Sequence, residues 1–151
     1  MDTVVKPQGC THLRLRQLLR QVAQRYDAEL ARAGLKGAQY PLLSHVVKLG
    51  PIRPGDLARE LKTAPSTLTR NLRPLIDAGW IRLDPGVDGR SRLVSATEAG
   101  RAKRQEAQRC WRVAQESINQ TLGLQRVLAL HALADECMEL LPAPGPGDDD
   151  E

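Results

Sequence analysis

Residues 63–80, TAPSTLTRNLRPLIDAGW, constrain the fold more than any other stretch. At 100° per residue Leu68, Leu72, Leu75 and Ile76 fall within about 80° of one another, the buried stripe of a helix. The opposite face carries Ser66, Thr67, Arg70, Arg73, Pro74 and Asp77, with Thr69 and Asn71 flanking it. A proline in a helix interior costs about 3 kcal/mol. Pro74, however, lies on the polar face, and the apolar spacing runs on to Gly79. The sequence therefore predicts a helix that bends there and does not stop, its freed Arg70 carbonyl met by water or a polar ligand. Pro65 suits a first helical turn.

Short hydroxyls and arginines on one helix face, with few acids, are what a DNA major groove accepts. Arginine bridges O6 and N7 of guanine, hydroxyls reach phosphates or base edges, and helix N-terminal amides attract phosphate. A merely solvated face is the alternative, and the neighbouring segments decide between them. After a short extended piece, residues 54–61 read as a short helix opened by Pro54, with Leu57, Ala58 and Leu61 apolar. After Gly79, WIRLDPGVDGRSRLVSAT reads as strands over 80–83 and 92–96, joined by a loop whose tip holds Asp88, Arg90 and Arg92. Two helices followed by such a hairpin form a winged helix-turn-helix arrangement.

Long amphipathic helices flank this unit. Leu15, Leu18, Leu19, Val22, Tyr26 and Leu30 recur at helical spacing over residues 11–33, and Gly34 ends that run. Residues 38–49 follow as a helix that tolerates Pro41 in its first turn. Thr97 and Glu98 supply an N-cap and an acidic first turn for a helix to about residue 119. A last amphipathic helix covers 124–141, where Pro142 ends it, and residues 142–151 read as a disordered acidic tail.

Charge is unevenly spread along these segments. Residues 1–52 hold eight Lys/Arg against three Asp/Glu and residues 53–109 hold twelve against seven, whereas residues 110–151 hold two against eight. A basic body with an acidic end suits binding of a polyanion by one part of the molecule. Phenylalanine is absent and aromatics are 3% of the chain, so the core must be Leu, Val and Ala, which favours helices.

Other chemistries find little support. No Gly-rich phosphate loop, paired carboxylates or nucleophile elbow points to an enzyme. His12, His45 and His131 lack ligand spacing, and Cys10, Cys110 and Cys137 make neither a CxxC site nor a disulfide framework, so neither metal nor cofactor is expected. His12 and His45 read as core or interface histidines, and Cys110 and Cys137 as core thiols. The N-terminus lacks a signal-peptide layout and no apolar run is long enough to span a bilayer, so a cytoplasmic, nucleoid-associated protein with no membrane partner is expected.

Residues 55–100, GDLARELKTAPSTLTRNLRPLIDAGWIRLDPGVDGRSRLVSATEAG, resemble the DNA-binding lobe of the MarR family of bacterial winged helix-turn-helix transcriptional regulators. With the flanking helices the likeness extends over roughly residues 11–141. It implies a mainly α (α+β) fold: one domain over 1–141, its winged helix-turn-helix lobe at about 51–97 and its dimerisation helices at about 11–49 and 98–141. It also implies a homodimer with interlocked terminal helices, acting on double-stranded DNA at a palindromic operator, as a repressor. Residues 65–78 then form the recognition helix, with Ser66, Thr67, Thr69, Arg70 and Arg73 toward DNA. Arg90 is the wing arginine, oriented by Asp88, with Arg92 beside it. Ala64 departs from the Ser or Thr such helices often place at the cap, with Pro65 and Thr63 as candidates to compensate.

The resemblance further implies a small aromatic or phenolic effector near His12, Arg16, Tyr40 and His45, with Arg16 able to pair a carboxylate. Cys10 stands where hydroperoxide-sensing relatives keep a reactive cysteine, which makes a thiol-based sensor one alternative. Those relatives place tyrosines near that thiol, a pattern missing around Cys10. A winged-helix module that binds protein and not DNA is another alternative, though such modules need not keep Arg70, Arg73, Arg90 and Arg92 together.

Overall fold

The computed structural model describes residues 5–142. In chain order they form α1 (Thr11–Leu30), a 3-10 turn (Ala31–Ala33), α2 (Gln39–Leu49), α3 (Pro54–Glu60), α4 (Pro65–Asp77), β1 (Ile81–Pro85), β2 (Arg92–Ala96), α5 (Glu98–Leu122) and α6 (Leu124–Leu140). This is the mainly helical winged-helix class expected from the sequence. Of the expected disordered tail, residues 143–151 lie outside the described residues. No described helix is long and apolar enough to cross a membrane.

Boundaries shift where tertiary contacts take over from periodicity. The α-helix expected over residues 11–33 ends at Leu30 and tightens into the 3-10 turn, which Gly34 closes in a left-handed conformation at φ 76°. The first strand begins at Ile81 rather than at residue 80, because the Trp80 N–H is taken by the Leu75 carbonyl as part of the α4 exit. The fifth helix reaches Leu122, a turn beyond the expected end.

The core gathers around α2. Leu42, Leu43 and Val46 are buried there, and α2 touches α4, β2 and α5. Leu57 of α3, Leu68, Leu72 and Leu75 of α4, Ile81 of β1 and Val94 of β2 complete it, with Leu30 and Leu35 closing one side. The strands pair antiparallel, from Ile81 opposite Ala96 to Pro85 opposite Arg92. Ile52 adds a bridge to Val94, with N–H to carbonyl distances of 3.0 and 2.8 Å.

Thr97 joins this lobe to the long helix. Its hydroxyl donates to the Gly79 carbonyl at 2.6 Å and accepts from the Gly100 N–H at 3.0 Å, so one side chain links the exit of α4 to the start of α5. Gly100 is needed at that crossing because a Cβ there would lie 1.9 Å from the Trp80 carbonyl oxygen. Lys103 adds a second tie: its ammonium donates to the Ala33 carbonyl at 3.0 Å and stands 5.5 Å from the Trp80 ring centroid.

Outside the lobe, α1 runs along α5, and α6 makes its main contact with α5 while burying Val127. The N-terminal half of α1 and nearly all of α6 are exposed.

Candidate nucleic-acid interface

The α4 side chains divide as the helical spacing predicts. Leu68, Leu72 and Leu75 are buried and Ile76 partly so, whereas Ser66, Thr69, Arg70, Asn71, Arg73, Pro74 and Asp77 are exposed and Thr67 is half-buried. The helix passes through Pro74 without stopping, and the Ala78 N–H reaches the Pro74 carbonyl at 3.0 Å. Pro74 brings no N–H for the Arg70 carbonyl, and because that turn faces outward, water can meet the freed carbonyl and keep the cost low. Ala64 is the N-cap and offers no side-chain bond to the first-turn amides, and Thr63 does not replace it. Those amides, on the polar side, stay open to an acceptor from outside the chain.

The polar face is not uniform. Arg70 has no ion-pair partner among the described residues, whereas the Arg73 guanidinium lies 3.4 Å from Asp77 in an exposed i,i+4 pair. Such a pair contributes little in water and releases readily to a stronger acceptor. The Thr69 hydroxyl donates to the Pro65 carbonyl at 3.0 Å, so its proton is committed to the helix and its oxygen faces outward only as an acceptor. That makes it a poor phosphate ligand.

The wing is built on Asp88. Its Oδ1 accepts from the Arg90 N–H at 3.0 Å, the Ser91 N–H at 2.9 Å and the Ser91 hydroxyl at 2.8 Å. These bonds, with the backbone and hydroxyl of Ser91 foremost and the nearby charge of Arg53 adding to them, hold the Asp88 carboxyl down from an ordinary 3.8 to about 2. Asp88 thus orders the chain that carries Arg90 through its backbone, not through its guanidinium. The Arg90 and Arg92 side chains are left exposed and without ion pairs among the described residues. Arg53, at the N-cap of α3 and close enough to act on Asp88, joins the basic surface although its sequence neighbours gave it no prominence.

The four residues expected to line an effector site do not converge. Tyr40 is buried, its ring 5.9 Å from that of Trp111 and nearly parallel to it, so it is core. His45 turns back on its own helix, Nδ1 lying 2.7 Å from the Pro41 carbonyl. His12 and Arg16 stand exposed on the free half of α1. An open cleft of about 520 Å³ lies instead between α1 and α5, walled by Leu18, Val22, Ala28, Ile118 and Leu122 with Arg25 at its edge.

Cys10 is exposed and caps α1, its Sγ accepting from the Leu13 N–H at 3.5 Å. Tyr26 lies about 24 Å further along the helix at 1.5 Å per residue, and its hydroxyl donates to Gln115. Neither tyrosine attends this thiol. Cys137, expected in the core, is exposed, because α6 turns that face to solvent; Cys110 is partly buried against the core, as expected.

A short helix, a second helix with a basic outward face, and a hairpin with exposed Arg90 and Arg92 define a winged helix-turn-helix protein. The MarR family profile matches residues 33–91. An HTH-type transcriptional regulator of Bacillus subtilis, YwoH, is 27% identical over 92 residues, 61% of this chain and 67% of that protein. The transcriptional regulator MosR of M. tuberculosis, solved in complex with DNA, is 29% identical with a TM-score of 0.71, covering 85% of this chain and 98% of its own. Apo MarR of E. coli shares the fold at 20% identity and a TM-score of 0.66, over 87% of this chain and 99% of that one. Over residues 33–91 the chain is thus similar to the MarR family of transcriptional regulators.

Proposed function

We propose that the chain is a sequence-specific DNA-binding repressor that acts as a homodimer on a palindromic operator. The outward face of α4 carries this reading: Ser66, Arg70 and Arg73 stand exposed beside open helix amides, next to a wing that presents Arg90 and Arg92. In this reading α4 enters a major groove, where Arg70 and Arg73 contact base edges, and Arg90 lies in the flanking minor groove. The DNA complex of MosR supports it by similarity. Dimerisation through residues of about 11–49 and 98–141, around a lobe of about 51–97, is supported by the leucines that α1 and α6 leave in water. Sequencing the DNA that the purified protein selects from a random pool tests class and symmetry together. A palindromic consensus is expected; no enrichment favours the protein-binding alternative.

Release by a small aromatic or phenolic ligand completes the reading, on the strength of the family resemblance. Such a ligand raises the melting temperature with its concentration and lowers DNA affinity to the extent that it prefers the non-binding conformation. The exposed, helix-capping Cys10 favours a second reading, in which peroxide abolishes DNA binding, dithiothreitol restores it and Cys10→Ser removes the response. A ligand-induced shift in melting with no effect of peroxide decides for the first.

A further inference from the structure

Three helical segments end on the same left-handed turn. After the 3-10 turn, the Gly34 N–H reaches the Ala31 carbonyl and the Leu35 N–H the Leu30 carbonyl, both at 3.0 Å. After α4, the Gly79 N–H reaches the Ile76 carbonyl at 2.9 Å and the Trp80 N–H the Leu75 carbonyl at 3.0 Å. After α3, the Lys62 N–H reaches the Arg59 carbonyl at 3.1 Å and the Thr63 N–H the Ala58 carbonyl at 3.0 Å. This pair of bonds requires a positive φ of the residue just past the helix, and glycine adopts it without strain. Gly34 and Gly79 do so at φ 76° and 79°, whereas Lys62 does so at φ 51° with a side chain attached. Every other positive-φ position among the described residues is a glycine.

Nothing among the described residues rewards a lysine at that position. Lys62 is exposed and in no ion pair there, so neither packing nor a charged partner holds it. Asparagine would tolerate the same backbone and still offer hydrogen bonds, so what lysine adds is positive charge. For α3 that charge does little, because the helix is seven residues long and Arg59 already stands in its last turn. For α4 it is adverse: Lys62 comes three residues before Pro65, at the positive end of a helix whose first turn holds no acid. A strained backbone carrying a repelled charge points to a reward from outside the chain. We propose that the Lys62 ammonium binds a backbone phosphate of DNA, and that the turn between α3 and α4 keeps a lysine in a glycine conformation for that contact. A compact point charge on a flexible stem suits a phosphate and not a base edge, so the contact adds affinity on any sequence. The proposal rests on the DNA-binding reading and adds to it a residue outside the α4 face and the wing.

The contact predicts that stability and DNA affinity move in opposite directions in one variant. Lys62→Gly relieves the left-handed strain, so its urea midpoint should rise above that of wild type. Its affinity should fall about fivefold, equally on the duplex selected from a random pool and on an unrelated duplex. Between about 0.05 and 0.2 M salt, the slope of log affinity against log salt should flatten by about 0.9 per bound protomer. Lys62→Asn, which keeps a left-handed former but no charge, should flatten the slope as Lys62→Gly does, and Lys62→Arg should keep it. An unchanged slope in Lys62→Gly and Lys62→Asn, with wild type binding DNA, overturns the contact and leaves the DNA-binding reading in place. A loss confined to the selected duplex overturns it in favour of a base contact, and a lowered urea midpoint in Lys62→Gly shows that the lysine serves the fold. A wild type that binds neither duplex overturns the DNA-binding reading itself, and the contact with it.

Discussion

Leu75 on α4 and Leu19 on α1 both sit on the apolar stripe of an amphipathic helix, yet Leu75 is wholly buried and Leu19 is 66% exposed. The difference lies in what surrounds each helix. Leu75 is met by α2, β1 and the rest of the core within the same chain, whereas Leu19 lies on the exposed N-terminal half of α1, outside that core. Burying a leucine contributes about 1.5–3 kcal/mol. In the lobe that contribution is made by folding alone, at any concentration. In the arms it is available only on association, so it depends on how much protein is present.

The comparison is broken most directly by truncating each leucine. Leu75→Ala should lower stability by about 2–5 kcal/mol in urea unfolding, with the same loss at low and high protein concentration. A loss that vanishes on dilution would mean that the lobe, too, relies on a second copy.

Placing a charge in the arms sharpens the contrast. Leu19→Asp or Leu128→Asp should weaken self-association at least about 100-fold, roughly 2.7 kcal/mol, while circular dichroism shows the lobe still folded. Retained dimers in both variants, measured by light scattering, would show that these leucines are not what joins the copies.

Within the lobe the effects become smaller and fall on function. Arg70→Ala or Arg73→Ala should cost about 1–3 kcal/mol per half-site on the selected DNA. Arg90→Ala should lower affinity with less dependence on the central bases, and removing any phosphate-neutralising arginine should flatten the salt slope. Unchanged affinity in all three folded variants would favour a protein-binding lobe over a DNA-binding one.

Much of this was readable from local pattern. The buried stripe and outward Pro74 of α4, the hairpin and the Thr97 cap each depend on residues within a turn or two of one another. What escaped the sequence depends on distant partners. The resemblance sets Tyr40 near an effector, whereas its stacking partner in the structure, Trp111, lies 71 positions away on another helix, beyond the reach of local pattern. The need for Gly100 comes from the Trp80 carbonyl, which occupies the space a Cβ would take and lies in another segment of the chain. Asp88 was placed correctly in the wing, but the acceptor role it plays follows from a turn in which the Arg90 N–H points inward and its guanidinium outward.

That turn supports the smallest prediction, one confined to the wing. Asp88 is fully exposed, so its low value of about 2 comes from the bonds it accepts from Ser91 and Arg90 and not from burial. A carboxyl whose folded value is depressed contributes order above its unfolded value and loses it as protons return. The wing turn should therefore be fully formed above pH 3.8 and should loosen as pH falls toward about 2. The backbone amide resonances of Arg90 and Ser91 are the readout, because each donates to the titrating oxygen. Asp88→Asn keeps an acceptor oxygen but removes the charge, so it should abolish the titration while preserving part of the turn. If the amides titrate near 3.8 instead, Asp88 is not bonded to them in solution, and Arg90 is held by nothing stronger than its own hairpin.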